Sequence, residues 1–137
     1  MNTETKAVAS RFYEIITAHD TSRLDEVCSP QMRGHAGAGA DLRAFTASID
    51  GFIAAFPDLA IQVRHLVQEG DLVSTWVTYE GTHKGEYAGF PPSGRHVRFA
   101  AWDLMRIEDG RIVELTEYCD LFALMQQIGA LPMATPV

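Results

Sequence analysis

Helical spacing of the apolar residues dominates the first part of the chain. This spacing predicts an amphipathic helix over residues 3–18 and a longer helix over residues 42–56, which Pro57 ends. Between the two helices, Asp20 can cap a short helix, and residues 31–35 are expected to be extended. The first elements of the fold are therefore predicted to be mainly helical.

Beyond this helical part the apolar residues alternate with polar ones, which is typical of β-strands that bury one face. The alternation predicts strands over residues 59–67 and 72–80. The turn Glu69-Gly70-Asp71 lies between them. The two runs are therefore expected to pair as neighbouring antiparallel strands.

A hairpin and a last short helix complete the pattern. Asp109-Gly110 separates two strand-like runs, 97–107 and 111–118, and an Asp-Gly pair in that position is a strong hairpin signal. Asp120 can then cap a short C-terminal helix. Helices followed by strands predict an α+β fold, with the helices packed on one face of a strongly curved, mostly antiparallel sheet. Such a sheet can enclose a pocket.

The totals of the chain are those of a folded protein with one core. Its 137 residues suggest a single domain over residues 1–137, and 47% of them are hydrophobic. The net charge of −7 offers no basic surface for nucleic acid or for an anionic membrane. The N-terminal sequence lacks the pattern of a signal peptide, and no apolar run approaches the ~20 residues that span a bilayer. Because Cys28 and Cys119 form no CxxC motif, a reduced, cytoplasmic setting is the simpler expectation.

Asp103 is the most informative residue in this pattern. In an extended strand it shares a face with apolar residues on both sides. Burial among them should raise the pKa of its carboxyl, which would make the carboxylate a useful general base near neutral pH. A structural salt bridge with Arg95, Arg98 or Arg106 is the alternative, and the residues by themselves do not decide between the two.

The five histidines offer hydrogen-bond donors but no metal-ligand spacing. His83, in the segment GTHKG, could donate to an enolate oxygen or could stabilise its loop. His35 could reach the mouth of a pocket, whereas His65 shares a strand face with apolar residues and is expected to be buried. Because no HxH, HxxxH or HExxH spacing occurs, we expect no metal site.

Side chains of the predicted sheet and its loops could line a pocket for an aromatic substrate. Aromatic residues in such positions more often belong to a core or to a dimer contact, so each is a weak indicator by itself. The expected pocket residues are His35, Trp76, Phe90, Phe99, Ala101, Met105 and Tyr118.

Three segments in a fixed order carry a resemblance to a known family. They read GTHKGEYAGFPPSGRHV, WDLMRIEDGRIVE and DLFALMQQIGALP, and FPDLAIQV and EGDLV fit the same pattern upstream. The chain resembles the SnoaL-like polyketide cyclases of the NTF2-like superfamily over nearly its whole length. This resemblance implies a cone-shaped α+β fold, a deep pocket and a homodimer. It also implies ring closure by intramolecular aldol condensation without metal or organic cofactor, with Asp103 at the position of the catalytic acid/base. From its place in GTHKG, we expect His83 or a water to be the donor that holds the enolate.

The chain departs from the family pattern at positions that approach the pocket. Ser74 stands where the family often has an arginine, and Glu114, Leu115 and Thr116 stand where it often reads Glu-His-Trp. The expected substrate is therefore a small apolar or aromatic carbonyl compound without a closer definition. The open alternatives are a non-catalytic ligand-binding protein, an isomerase, a component of polyketide hydroxylation, and an epoxide hydrolase. The last would require an Asp-Arg-Asp arrangement that the sequence does not assemble.

Overall fold

The structure, a computed structural model, describes residues 2–131 of the chain. Three α-helices, one 3-10 helix and five strands follow one another along this part. In chain order they are α1 (Asn2–Thr17), the 3-10 helix (Thr21–Glu26), β1 (Cys28–Ala36), α2 (Leu42–Ala55), β2 (Ala60–Glu69), β3 (Leu72–Thr82), β4 (His96–Glu108), β5 (Arg111–Cys119) and α3 (Leu121–Gln127). None of the described helices has the length and apolar character needed to cross a membrane.

The five strands form one sheet in the order β1-β5-β4-β3-β2. Neighbours β2–β3, β3–β4 and β4–β5 are antiparallel, and only the β1–β5 pair is parallel. The predicted α+β class with a mostly antiparallel sheet is thus confirmed. The Asp109-Gly110 hairpin is also confirmed, since both residues have the positive φ angles, 52° and 76°, that a tight hairpin turn needs.

Helix α1 covers the inner face of the sheet. It contacts β2, β3, β4 and β5, and it buries Phe12, Tyr13 and Ile16. From the sequence we expect the sheet to wrap around the long helix over residues 42–56, and this expectation needs correction. Helix α2 lies mainly against β1 and the 3-10 helix. The length of its apolar stripe predicted that it would be buried, but not which strands it would meet.

Two further differences from the sequence pattern have local causes. A register shift between Val63 and His65 lets β2 exchange its faces, so that His65 is exposed instead of buried. Strand β1 extends from Cys28, further than residues 31–35, because it pairs with β5 from a distant part of the chain. Such non-local pairing leaves little trace in a short, weakly alternating segment.

Aspartate side chains cap the N-termini of two helices, α2 and α3. The Asp41 carboxylate accepts a hydrogen bond from the Ala44 amide, and the Asp120 carboxylate accepts one from Ala123, as predicted for the last helix. By contrast, Asp20 makes no such bond, and the segment after it is the 3-10 helix. The Asp120 cap fixes the point where the chain leaves β5.

Candidate active site

Three polar side chains lie side by side on the inner face of the sheet. Thr75, Asp103 and Glu117 are directly opposite one another on β3, β4 and β5. Side chains in such cross-strand pairs point to the same face and come within contact distance. All three are buried, and Asp103 has an exposed fraction of 0%. The sheet register therefore creates a polar row inside the core.

Helix α1 adds a tyrosine to this row. The Tyr13 hydroxyl donates a hydrogen bond to Oδ2 of Asp103 and lies 2.5 Å from Oγ1 of Thr75. Because the Tyr13 proton is used on Asp103, the Thr75 hydroxyl is the donor to Tyr13. Burial, followed by the neighbouring Asp103, raises the pKa of Tyr13 well above its ordinary value, so its hydroxyl remains protonated.

A second tyrosine reaches the other end of the row. The Tyr79 hydroxyl donates to Oε2 of Glu117 over 3.3 Å. Burial and the charge of Glu117 raise the pKa of Tyr79 well above its ordinary value. The interior thus contains two short hydrogen-bond chains, Thr75 to Tyr13 to Asp103 and Tyr79 to Glu117. They meet at the pair of carboxyl groups.

The surroundings of Asp103 are apolar, as its strand face predicted. Phe99, Ala101 and Met105 share its side of β4 and are buried with it. Burial raises the pKa of Asp103 to about 6, although hydrogen bonding by Tyr13 and Glu117 opposes this rise. The pKa of Glu117 is raised well above its ordinary value, first by burial and then by the charge of Asp103. Two carboxyl groups this close repel each other when both are ionised, so the pair carries less negative charge than two separate carboxyl groups would.

The arginine of the same strand does not neutralise Asp103. Arg106 binds the Asp71 carboxylate at 2.9 and 3.0 Å and Glu114 at 3.1 Å, on the outer surface. It is the three-residue spacing along β4 that places Arg106 on the opposite face from Asp103. The salt-bridge alternative for Asp103 therefore has no support from Arg106, and the hydrogen bond that its carboxylate accepts comes from Tyr13.

His83 is buried but is not beside Asp103. It follows the last residue of β3, and its Nδ1 lies 2.9 Å from the Ser93 hydroxyl and accepts from the Ser93 amide. Since Asp103 pairs with Thr75, eight residues before His83, the two are separated by roughly 26 Å of strand at about 3.3 Å per residue. The structure does not bring the two together. A donor role for His83 stays a prediction, and the buried Nε2, which has no hydrogen-bond partner among the described residues, is the atom available for it.

A cluster of aromatic rings connects the surroundings of His83 with the buried row around Asp103. The cluster consists of Phe52 in α2, Phe56 directly after α2, Tyr79, Tyr87 and Phe99, and its neighbouring ring centroids are 5.2 to 6.2 Å apart. His83 packs on Phe56 at 5.5 Å. Tyr79 belongs to both regions, because its ring lies in the cluster and its hydroxyl reaches Glu117.

Several predicted pocket residues lie away from Asp103. Trp76 and Tyr118 are 54% and 61% exposed and lie on the outer face of the sheet, where they line a cleft of about 290 Å³. The reason is the two-residue period of a strand, since Trp76 pairs with Trp102 and Trp102 with Tyr118 on the face opposite to Asp103. Phe90 is exposed in the loop after β3.

His35 also lies apart from the buried row. It is at the exposed end of β1, with its Nε2 3.3 Å from the Glu114 carboxylate. The predicted inner-face residues, by contrast, are placed together with Asp103. These are Phe99, Ala101 and Met105.

A groove between α1 and β2 approaches the buried row from outside. Its volume is about 530 Å³, and Tyr13 forms part of its wall. The other lining residues are Ser10, Glu14, Thr17, Ala18, Ile61 and Val63. Tyr13 therefore lies between this groove and the Asp103 carboxylate. Within residues 2–131, no three His, Cys, Asp or Glu side chains converge as metal ligands would.

Three residues of the buried row were not predicted from the sequence, namely Tyr13, Thr75 and Glu117. Thr75 and Glu117 read as ordinary strand positions, and Tyr13 reads as a member of the apolar stripe of α1. A usable signal existed for Glu117, which shares the strand parity of the apolar Leu115. A carboxylate in an apolar row is the same signal that identified Asp103.

Comparison with known proteins agrees with this fold. Nogalonic acid methyl ester cyclase of Streptomyces nogalater is 26% identical over 124 residues, which cover 84% of this chain and 92% of that protein. Aklanonic acid methyl ester cyclase of a Streptomyces species (strain C5) is 27% identical over 131 residues, which cover 89% and 81%. The crystal structure of AclR from Streptomyces galilaeus, a candidate hydroxylase, superposes with a TM-score of 0.89 at 26% identity, covering 97% of this chain and 85% of the other.

A protein-family model matches most of the chain. The model of the SnoaL-like polyketide cyclases matches residues 6–128, which include Tyr13, Asp103 and Glu117. The buried acidic row, the curved sheet and all but the first residues of α1 lie within that range. This chain belongs to the SnoaL-like polyketide cyclase family.

Proposed function

We propose that this protein closes a ring in a small polyketide-type substrate by an intramolecular aldol reaction, with Asp103 as the general acid/base. The observation that carries the proposal is the burial of Asp103 on an apolar sheet face with a pKa near 6. Near neutral pH such a carboxylate is ionised, yet it is a stronger base than an exposed aspartate. The names of the two cyclase relatives support the reaction class.

The chemistry needs only a base, a donor and a bent substrate. Asp103 takes a proton from a carbon next to a carbonyl, and the electron pair of that C–H bond forms an enolate. The enolate carbon attacks a second carbonyl carbon of the same molecule, and the resulting alkoxide recovers the proton from Asp103. The product is an isomer of the substrate, and the enzyme is regenerated.

The enolate oxygen needs a hydrogen-bond donor. The Tyr13 hydroxyl can supply it once Asp103 has taken up the substrate proton, because its own proton is then no longer held by the Asp103 carboxylate. His83 would serve a carbonyl at the distant end of an extended substrate, near the aromatic cluster. A donor held in an interior without water stabilises a developing charge more than it would in solution.

Substrate must displace side chains to reach Asp103, because the carboxylate is closed off from solvent. Two features mark the way in: the groove that ends at Tyr13, and the half-buried rings of Phe52 and Tyr87 in the aromatic cluster. Aromatic walls favour a flat, partly aromatic substrate. This supports a substrate of the kind named for the two relatives, a polyketide acid methyl ester.

The first test is ring closure itself. We expect the protein to convert nogalonic or aklanonic acid methyl ester to a product of unchanged mass and different retention on chromatography. In deuterated water the reacting carbon should also exchange its proton, which reports the enolate without ring closure. His83→Ala should lower turnover if His83 binds the distant carbonyl. Absence of both isomer and exchange, with well-folded protein and across both esters, would contradict this substrate class.

We also propose a homodimer through the outer face of the sheet. Trp76, Trp102 and Tyr118 form an exposed aromatic row there, with the last two rings stacked at 6.2 Å. Exposed rings of this kind are typical of an interface core.

Light scattering should therefore give about twice the 15.1 kDa chain mass. Trp76→Glu should shift the protein towards the monomer, whereas Lys6→Glu on α1 should not. A monomer mass that does not change with concentration would contradict the dimer.

Two alternative functions have an observation in their favour. The sealed position of Asp103 favours a non-catalytic ligand-binding protein, since an enzyme must admit its substrate to the base. The similarity to AclR favours a component of polyketide hydroxylation. The epoxide hydrolase alternative is weaker, because the one carboxylate–arginine–carboxylate group of the structure described above, Asp71–Arg106–Glu114, is exposed to solvent.

A further inference from the structure

The second carboxyl group of the buried row, Glu117, has no role in the reaction scheme above. It is directly opposite Asp103 in the register of β4 and β5, and its exposed fraction is 6%. Two ionised carboxylates in this position would repel each other with little water to screen them. The arrangement is stable only if one of the two groups retains a proton.

The hydrogen bonds around the pair indicate which group retains it. Tyr13 donates to Oδ2 of Asp103, and such a bond stabilises the ionised form of that carboxylate. Oδ1 of Asp103 receives no hydrogen bond of standard geometry from the described residues. Glu117, its cross-strand neighbour, is the group placed to supply one. Glu117 itself receives a single, longer bond of 3.3 Å from Tyr79.

We propose that Glu117 is a positioning residue for Asp103: it stays protonated at neutral pH and donates a hydrogen bond to the Asp103 carboxylate. The buried pair then carries one negative charge instead of two, and that charge is on Asp103. A protonated carboxylic acid that donates to a carboxylate makes a short, strong hydrogen bond. The raised pKa of Glu117, caused by burial and by the neighbouring charge of Asp103, agrees with this assignment.

The groups that face Glu117 do not supply a competing positive charge. They are Asp103 from β4, Tyr79 from β3, Tyr13 from α1 and Cys119 on β5 itself. On the side of β1, Ala36 pairs with Glu117, and the Gly37 amide donates to the Glu117 backbone carbonyl at 2.8 Å. Tyr79 and Cys119 both have raised pKa values through burial, so each stays neutral. An ionised Glu117 would therefore be without compensation.

Two consequences for catalysis rest on the proposed role of Asp103. First, the hydrogen bond from Glu117 keeps the base ionised near neutral pH despite its burial. Second, together with the bond from Tyr13, it fixes the orientation of the carboxylate. The location of the proton is independent of whether the protein is an enzyme, and it can be tested without a substrate.

The test is a titration of the two carboxyl carbons by NMR on uniformly carbon-13-labelled protein, over about pH 4 to 9. In the wild type we expect the Asp103 carboxyl to titrate near 6, and the proposal requires the Glu117 carboxyl to titrate at a higher pH than Asp103. In Glu117→Gln the Asp103 pKa should stay or rise by up to about one unit, because an amide donates a weaker bond than a carboxylic acid but carries no charge either way.

The opposite shift would overturn the proposal. If Glu117 were ionised in the wild type, Glu117→Gln would remove a negative charge and the pKa of Asp103 would fall. A wild-type Glu117 carbon that titrates below that of Asp103 would also overturn it, even if the variant failed to fold. Glu114→Gln is the matched control, three positions earlier on β5 with its carboxylate on the outer surface, and it should leave the Asp103 titration unchanged.

Activity separates this proposal from the proposed function. If the titration gives the expected order and the pH profile of ring closure shifts together with the Asp103 titration in Glu117→Gln, both are supported. If the titration gives the expected order but the pH profile does not follow it, the protonated state of Glu117 is supported and Asp103 is not the base.

Discussion

Asp103→Asn should reduce ring closure by about a hundredfold to ten-thousandfold while the protein remains folded. The substitution preserves the size of the side chain and its ability to accept the Tyr13 hydrogen bond, but it removes the base. The loss should appear in kcat and in proton exchange at the reacting carbon, because both depend on the same proton transfer. The measurement is turnover of a substrate that the wild type converts, together with circular dichroism of the variant.

The control for this prediction is Asp109→Asn in the hairpin turn. Asp109 has a positive φ of 52°, which asparagine tolerates well, and it lies in the turn between β4 and β5. Its substitution should therefore leave turnover unchanged. Unchanged turnover in well-folded Asp103→Asn would contradict the mechanism. A large loss of stability in that variant would instead indicate a structural role for the carboxylate.

The pH dependence of stability should differ strongly between the wild type and Asp103→Asn. The folded-state pKa of Asp103 is near 6, above its unfolded value of about 4, so the native protein binds more protons than the unfolded chain between these values. The stability associated with this carboxyl is fully present below about pH 4 and is lost as the pH rises through 6. As the pH rises from 4 to neutral, the free energy of unfolding of Asp103→Asn should therefore increase by up to about 3 kcal/mol relative to that of the wild type.

This gain should be visible in the difference between the thermal midpoint of Asp103→Asn and that of the wild type, which should change with pH. For a chain of this size, about 3 kcal/mol corresponds to a relative shift of roughly 10 °C. Carboxylates common to both proteins cancel in the difference. A difference in midpoint that stays constant across this range would show that Asp103 is not poorly solvated in solution.

Asp58→Asn provides a control of opposite sign. Partial burial works to raise the pKa of Asp58, but the hydrogen bonds donated by the Thr82 amide and hydroxyl bring it below its ordinary value. Its contribution is therefore present above the unfolded pKa and is lost as the pH falls. Asp58→Asn should accordingly lose stability at neutral pH and approach the wild type in acid.

Several features of this protein follow from local sequence alone. The strand parity that placed Asp103 among Phe99, Ala101 and Met105 depends only on the two-residue period of an extended chain, which holds in any sheet. The Asp109-Gly110 turn and the Asp120 cap likewise depend on the preferences of residues a few positions apart. For the same reason the family resemblance, which rests on short ordered segments, identified the fold correctly.

The composition of the site was decided by contacts between distant parts of the chain. Tyr13 and Glu117 meet at Asp103 only because α1 crosses the inner face and because the register of β5 against β4 aligns the two carboxyls. Neither the choice of α1 over α2 nor that register is visible in a local pattern. The same register placed Trp76 and Tyr118 outside, although their residue types suited a pocket. Local periodicity thus determined which face each strand residue occupies, and only the tertiary structure determined which residues share the interior with Asp103, because strand pairing and helix docking are long-range interactions.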